Sequence, residues 1–284
     1  MTSFADRLYE SAVSLKTVDR EHGGSTPRLR YQIMGPLRVL GGREGSSISA
    51  HKMEVLLAVL LTRAGQVVPL DQLVSEVWGG NPPLRARAAV HVYVSQLRRF
   101  LSVPGRTESP IVTKAPGYLL DIGSDELDLE SFHSAVRRGR GFATDGRHDL
   151  ATESFHDALL LWRGPALEGL CDSPAISAFV TWLEEIRLDC AEAVVESSFA
   201  LGRHRDMVGF LRQLVAEHPL RETFHRQLML ALYRSERQAD ALKVYAAARQ
   251  TLNRELGLEP CRALQHLHRA ILSDNDDLHA GEAA

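Results

Sequence analysis

Apolar positions along this chain fall into two rhythms, and the change between them marks out its parts. Tyr31-Gln32-Ile33-Met34-Gly35 and Leu37-Arg38-Val39-Leu40-Gly41-Gly42 are short strand-like runs punctuated by Gly and Pro, and 46–49 is a third candidate, so a small antiparallel sheet is expected first. The rhythm then turns helical. Met53, Val55, Leu56, Leu57, Val59, Leu60 and Leu61 make 51–64 apolar around most of its circumference, as a central buried helix requires, with Gly65 as its stop. Asp71 is the expected cap of a helix over 72–78, which ends at Gly79-Gly80 before Pro82-Pro83. A third helix over 84–101 carries Val90, Val94, Leu97 and Leu101 at spacings of four, three and four, with Tyr93 and Phe100 on the flank of that seam. Its opposite face collects Arg85, Ala88, Val92, Ser95, Gln96 and Arg99, with His91 and Arg98 at one edge. A hairpin over 111–122, turning at Pro116-Gly117, completes the series.

From Asp128 onward the pattern is helical almost without interruption. Ala241, Tyr245 and Ala248 have a small-aromatic-small spacing that Ala151, Phe155 and Ala158 repeat, and Met207, Leu211 and Leu214 precede the first set by the 34-residue period of a tetratricopeptide stack. In such a stack the small residue lets the facing helix approach and the aromatic fills the next gap, so these nine positions are expected in the core. The expected fold is therefore mainly α: a winged helix-turn-helix with small β-sheets, followed by an all-α tetratricopeptide-like domain. The expected divisions are a poorly ordered leader over 1–27, a winged-helix domain over 28–122, a short linker over 123–127, a helical domain over 128–272 and a flexible tail over 273–284.

Charge sharpens the division. Between 28 and 121 there are 12 Lys and Arg against 6 acids, a net of +6, whereas the residues from 122 onward carry −8. A basic module meeting a polyanion and an acidic module meeting something else is the simplest reading of that split. A helix whose outer face holds small, amide and guanidinium side chains fits a DNA major groove. There Gln and Arg read base edges while Arg also grips phosphate.

Other chemistry finds little support. Cys171, Cys190 and Cys261 are odd in number and lack any Cys-x-x-Cys or Cys/His pairing, so a zinc site is not expected and a reduced, cytoplasmic protein is. No run approaches the roughly 20 apolar residues that span a bilayer. Twelve histidines include His204 and the pair His266 and His268, but none has a convergent third ligand, and no nucleophile-elbow, metalloprotease or phosphate-loop motif occurs. Gly139-Arg140-Gly141 and Gly41-Gly42 are too short to cradle a nucleotide. No enzyme activity, metal or cofactor is expected.

Ala88 to Arg99, together with Thr113 and Gly117-Tyr118, resembles the winged-helix effector domains of the OmpR/PhoB type over about 29–122. The blocks at 128–132, 158–167, 239–245 and 255–260 resemble the bacterial transcriptional activator domain. The two in this order are the layout of the Streptomyces antibiotic regulatory protein family, and the resemblance covers about 29–272. It implies an activator of a secondary-metabolite gene cluster that binds direct repeats in double-stranded DNA near promoters, with a second copy of itself on the DNA, and recruits RNA polymerase holoenzyme. No further ATPase, receiver or phosphopeptide-binding module is expected. The implied base-reading residues are Arg85, Ala88, His91, Val92, Ser95, Gln96 and Arg99; the implied phosphate contacts are Lys52, Trp78, Arg87, Arg98, Thr113 and Lys114.

Two departures stand out from the family. Gln96 replaces a customary Arg, which shifts the expected base from guanine towards adenine, and the hairpin is about one residue shorter than in response regulators. Head-to-tail binding to direct repeats implies a monomer or weak dimer in solution. The alternative is a tetratricopeptide-type adaptor or ligand sensor whose winged helix serves protein contacts, in which case steeply salt-dependent DNA binding is not expected.

Overall fold

A computed structural model describes residues 28–41, 48 and 50–273. The expected third strand over 46–49, apart from Ile48, the whole of the leader 1–27 and the tail beyond Ser273 lie outside the described residues. The described residues contain six strands, β1 (Arg30–Gln32), β2 (Arg38–Leu40), β3 (Val68–Pro69), β4 (Ile111–Lys114), β5 (Gly117–Leu120) and β6 (Glu126–Leu127). They also contain ten helices: α1 (His51–Thr62), α2 (Leu70–Trp78), α3 (Ala86–Phe100), α4 (Asp128–Thr144), α5 (His148–Leu160), α6 (Pro174–Ala200), α7 (His204–Glu217), α8 (Glu222–Tyr233), α9 (Gln238–Leu256) and α10 (Arg262–Leu272). The protein is mainly helical, with a winged-helix amino-terminal region and small sheets.

The described residues form two compact units, divided within α4, at the end of α5 and within α6. One holds the described residues up to 134 together with 161–187. At its centre is α1, where Leu56, Leu57, Leu60 and Leu61 are essentially inaccessible to water. The α3 seam of Val90, Val94, Leu97 and Leu101 joins the same core, each residue's burial contributing on the order of 1.5–3 kcal/mol. One sheet has the order β3-β5-β4, all antiparallel. The other has the order β2-β1-β6, in which β1 pairs antiparallel with β2 and parallel with β6.

Three local differences from the sequence reading have clear causes. Asp71 does not cap α2; Pro69 occupies that position without a side-chain bond, and Asp71 sits in the first turn, ion-paired to Arg87. The hairpin turns on Ala115-Pro116, because Gly117 already pairs with Lys114 and Pro69 inside the sheet. A side chain there is impossible: a Cβ on Gly117 would meet the Val68 carbonyl oxygen at 1.9 Å. Finally, the strip read as a linker is part of the fold. Glu126 and Leu127 form β6, and Asp125 is buried, accepting the Leu29 N–H at 3.0 Å and the Arg106 guanidinium at 2.6 Å.

The segment 161–187 belongs to this unit as well. Arg163 N–H donates to the Met34 carbonyl and Leu167 N–H to those of Ile33 and Gly35, while Leu167, Leu170 and Ile176 enter the core. Asp128 accepts the Ile33 and Met34 N–H groups, at 2.9 to 3.0 Å. Burial raises its carboxyl pKa, although those two donors and Arg163 pull the other way. Glu76 of α2 accepts the Ser173 hydroxyl and the Ala175 N–H, so a carboxylate stands at the first turn of α6, where the helix dipole favours negative charge.

The second unit holds 135–160 and the residues from 188 onward. Here α7, α8, α9 and α10 pack largely on their neighbours in sequence, with α10 also lying against α8. Ala151, Phe155, Ala158, Met207, Leu211, Leu214, Ala241 and Ala248 are buried. Tyr245 is only half-buried, its ring stacked on that of His268 on α10 at 3.8 Å. Gly139 lies against the Phe155 ring, which a Cβ would approach to 2.6 Å.

Candidate nucleic-acid interface

The apolar seam of α3 fixes which way the rest of the helix faces. With Val90, Val94 and Leu97 held in the core, Arg85, Ala88, His91, Val92, Ser95, Gln96 and Arg99 are all exposed. Arg85 stands at the amino-terminal cap position and the other six follow within the helix. No carboxylate occurs in α3. Fifteen residues at about 1.5 Å each give a rod of about 22 Å, and a major groove about 12 Å wide admits such a rod.

The wing is fastened to this helix by side chains that the sequence pattern does not pair. Arg98 donates from Nε to the Ile111 carbonyl at 3.0 Å and from Nη2 to the Thr113 hydroxyl at 2.7 Å, and its guanidinium lies over the Tyr118 ring at 5.9 Å. His91 Nδ1 and the Tyr118 hydroxyl are hydrogen-bonded to each other. Arg98 and Thr113 are therefore engaged with one another, Arg98 being half-buried, while Lys114 at the tip of β4 is exposed and has no bonding partner among the described residues.

Of the remaining phosphate candidates, Lys52 and Trp78 come together: the ammonium stands 5.0 Å over the indole, which also stacks on Tyr93 at 6.0 Å and an interplanar angle of 17°. Trp78 is half-buried. Arg87 is exposed but committed to Asp71. The structure thus gathers Lys114, Arg98 and Thr113 at the hairpin and Lys52 with Trp78 elsewhere on the unit, with the α3 face as a continuous strip. Tyr118 and Asp71, which orient or compete with these groups, were not among the interface residues expected from sequence. Their pairing depends on residues 16 to 27 positions away, beyond the reach of local periodicity.

No group of three or more His, Cys, Asp or Glu side chains able to hold a metal occurs among the described residues, and none of their helices is long and apolar enough to cross a membrane.

This architecture is that of a DNA-binding transcription regulator, in which a winged helix precedes a helical activator domain. Residues 45–120 match the transcriptional regulatory protein C-terminal family, and residues 127–272 match the bacterial transcriptional activator domain. The chain is 36% identical over 252 residues to regulatory protein DnrI of Streptomyces peucetius, covering 86% of this chain and 92% of that one. It is 37% identical over 262 residues to regulatory protein AfsR of Streptomyces coelicolor, covering 90% of this chain and 25% of that longer protein. Among solved structures, Mycobacterium tuberculosis EmbR in complex with a low-affinity phosphopeptide superimposes with a TM-score of 0.81 at 33% identity, over 90% of this chain and 68% of EmbR. The chain belongs to the Streptomyces antibiotic regulatory protein family of transcriptional activators.

Proposed function

We propose that this activator turns on a biosynthetic gene cluster for a secondary metabolite such as an antibiotic. In this reading it binds direct repeats in double-stranded DNA near promoters, with a second copy on the neighbouring repeat, and recruits RNA polymerase holoenzyme. The observation that carries the reading is the exposed, carboxylate-free face of α3 beside the free Lys114 of the wing. Gln96 has the donor and acceptor to read a purine edge, favouring adenine, and Arg99, which can read a purine edge, also grips phosphate. Ala88 and Val92 are short enough to let the helix backbone approach and to touch a thymine methyl. Arg85 and Lys114 supply charge for phosphates at the two ends of the footprint. Arg87 adds to them once it leaves Asp71, and Lys52 with Trp78 adds a further backbone contact.

Direct repeats require a head-to-tail arrangement, whose protein contact is weaker than a two-fold dimer, so the protein in solution is monomeric or weakly dimeric.

The test is binding to promoter fragments flanking its own gene, with a salt titration. A protein neutralising about 6–10 phosphates loses on the order of 10³–10⁵ in affinity between 50 and 200 mM salt. Arg99→Ala is expected to weaken binding to every fragment, whereas Gln96→Ala changes the preferred base at one position. Absence of DNA binding at low salt overturns the reading in favour of an adaptor.

A further inference from the structure

Between α8 and α10 lies a hollow of about 360 Å³, within the size range of small-molecule sites. Two facing stripes line it. From α8 and its carboxyl-terminal cap come Arg226, Leu230 and Arg234, spaced four residues apart; from α10 come Ala263, His266, Leu267 and Ala270. The small alanines on α10 open the space, and the two leucines make its lining apolar. The polar members of the lining are two guanidinium groups and an imidazole, and no carboxylate is among them.

The surrounding hydrogen bonds sharpen this polarity. Arg234 donates to His204 Nε2 at 2.7 Å, so that imidazole nitrogen is held as an acceptor. Glu222, one turn before Arg226 on α8, uses Oε2 on the Cys261 N–H at 2.6 Å, at the start of α10. Arg226 is half-buried, and its guanidinium makes neither a hydrogen bond nor an ion pair with any described residue. A guanidinium kept partly out of water with no counter-charge is poised for an anion, because desolvation strengthens such a pair.

We propose that this hollow binds a small amphipathic acid: an apolar tail against Leu230, Leu267 and the two alanines, and a carboxylate head on Arg226, assisted by His266 and Arg234. The size of the hollow favours a molecule over a protein segment, and the charge of its rim selects an anionic head over a neutral one. Nothing in this site depends on the DNA-binding reading, and the experiment contains no DNA.

Decanoate titrated calorimetrically into the full chain, below its micellar range, is the test, with 1-decanol as the neutral probe of equal length and an acidic, leucine-rich helical peptide titrated in parallel. The expected result is saturable one-to-one binding of decanoate, weakened at least tenfold by Arg226→Gln and largely retained by Arg226→Lys. Decanol binds no more tightly to wild type than to Arg226→Gln. Circular dichroism and melting confirm that both variants fold, since Arg226 has no internal partner to lose. Equal decanoate affinity in wild type and Arg226→Gln overturns the proposal, as does equal affinity for decanoate and decanol. Absence of saturable heat, or binding of the peptide in place of decanoate, also overturns it.

Discussion

The two compact units are held together in different ways. The winged-helix unit closes through bonds between residues 94 to 99 apart, such as Leu29 with Asp125, Ile33 and Met34 with Asp128, and Glu76 with Ser173 and Ala175. In the helical unit α7, α8, α9 and α10 pack on near neighbours in sequence, as in a repeat protein whose stability is a sum of adjacent interfaces. Damage is therefore expected to spread through the first unit and to stay local in the second. The proposed DNA-facing helix α3 shares its core with Leu29, Tyr31 and Leu167, far from it in sequence, while the helical unit is expected to tolerate variation one helix at a time.

The largest contrast comes from two glycines in tight places. Gly117→Val drives a side chain into the Val68 carbonyl, a backbone atom that cannot yield; the expected loss is more than about 3 kcal/mol. Gly139→Ala meets the Phe155 ring first, a side chain that can turn aside, and about 1–3 kcal/mol is expected. Denaturant melts measure the size, and amide exchange measures the spread. Protection should fall throughout β3, β5 and α1 for the first variant, and only around α4 and α5 for the second. Equal spread in both would erase the distinction between the units.

Asp128→Ala tests the long-range ties directly, because it leaves the Ile33 and Met34 N–H groups without their acceptor, at an expected cost of about 2–4 kcal/mol. The pH dependence has a definite sign. A buried carboxyl with a raised folded pKa binds its proton more tightly in the folded state, so its contribution declines as pH rises from the ordinary carboxylate range through the raised value. The variant should lack that decline in a series of melts across acidic pH. An unchanged pH profile would mean that Asp128 has no raised pKa in the folded state.

The same contrast explains what the sequence made legible. The α3 seam, the α1 core and eight of the nine helical-repeat positions are local periodic patterns, and burial at 3.6-residue spacing needs no knowledge of the partner. Hence the winged helix, the helical stack and the exposed α3 face were readable. The strip 123–127 looked like a linker because the carboxylates of Asp125 and Glu126 find their partners, Leu29, Arg106 and Arg30, elsewhere in the chain. The block 158–167 lies within the residues that match the activator domain, as its resemblance implied, but the pairing of Arg163 and Leu167 with Ile33, Met34 and Gly35 could not be read from local pattern. Arg98 and Arg87 read as free cations until their partners Thr113 and Asp71 were located.

Arg98 sharpens the comparison within the interface itself. Its bonds to the Ile111 carbonyl and the Thr113 hydroxyl make it a tie between helix and wing rather than a free charge. Arg98→Ala is expected to cost about 1 kcal/mol of stability and to lower DNA affinity several-fold by loosening the hairpin. The salt dependence separates the two roles. Loss of a phosphate contact reduces the slope of log affinity against log salt by about 0.9, whereas loss of a positioning residue leaves it unchanged. An unchanged slope is expected.

The smallest effect concerns two surface ion pairs, one in each unit. Asp71 holds Arg87 in the winged-helix unit, and Glu259 holds Arg249 in the helical unit, both pairs being largely exposed. Exposed pairs add little to folding, so neither Asp71→Ala nor Glu259→Ala should move the melting temperature appreciably. Their effects on DNA should differ. Removing Asp71 deletes a negative charge from the basic unit and releases a guanidinium towards phosphate, so affinity should rise about two- to fivefold at low salt. That gain should fade as salt screens exposed charges. Removing Glu259 makes the same change in net charge but frees an arginine in the other unit, and affinity should stay at the wild-type value. Equal gains from both variants would mean that net charge governs binding and that Arg87 has no special position; a gain confined to Asp71→Ala assigns the released arginine to the DNA-facing surface.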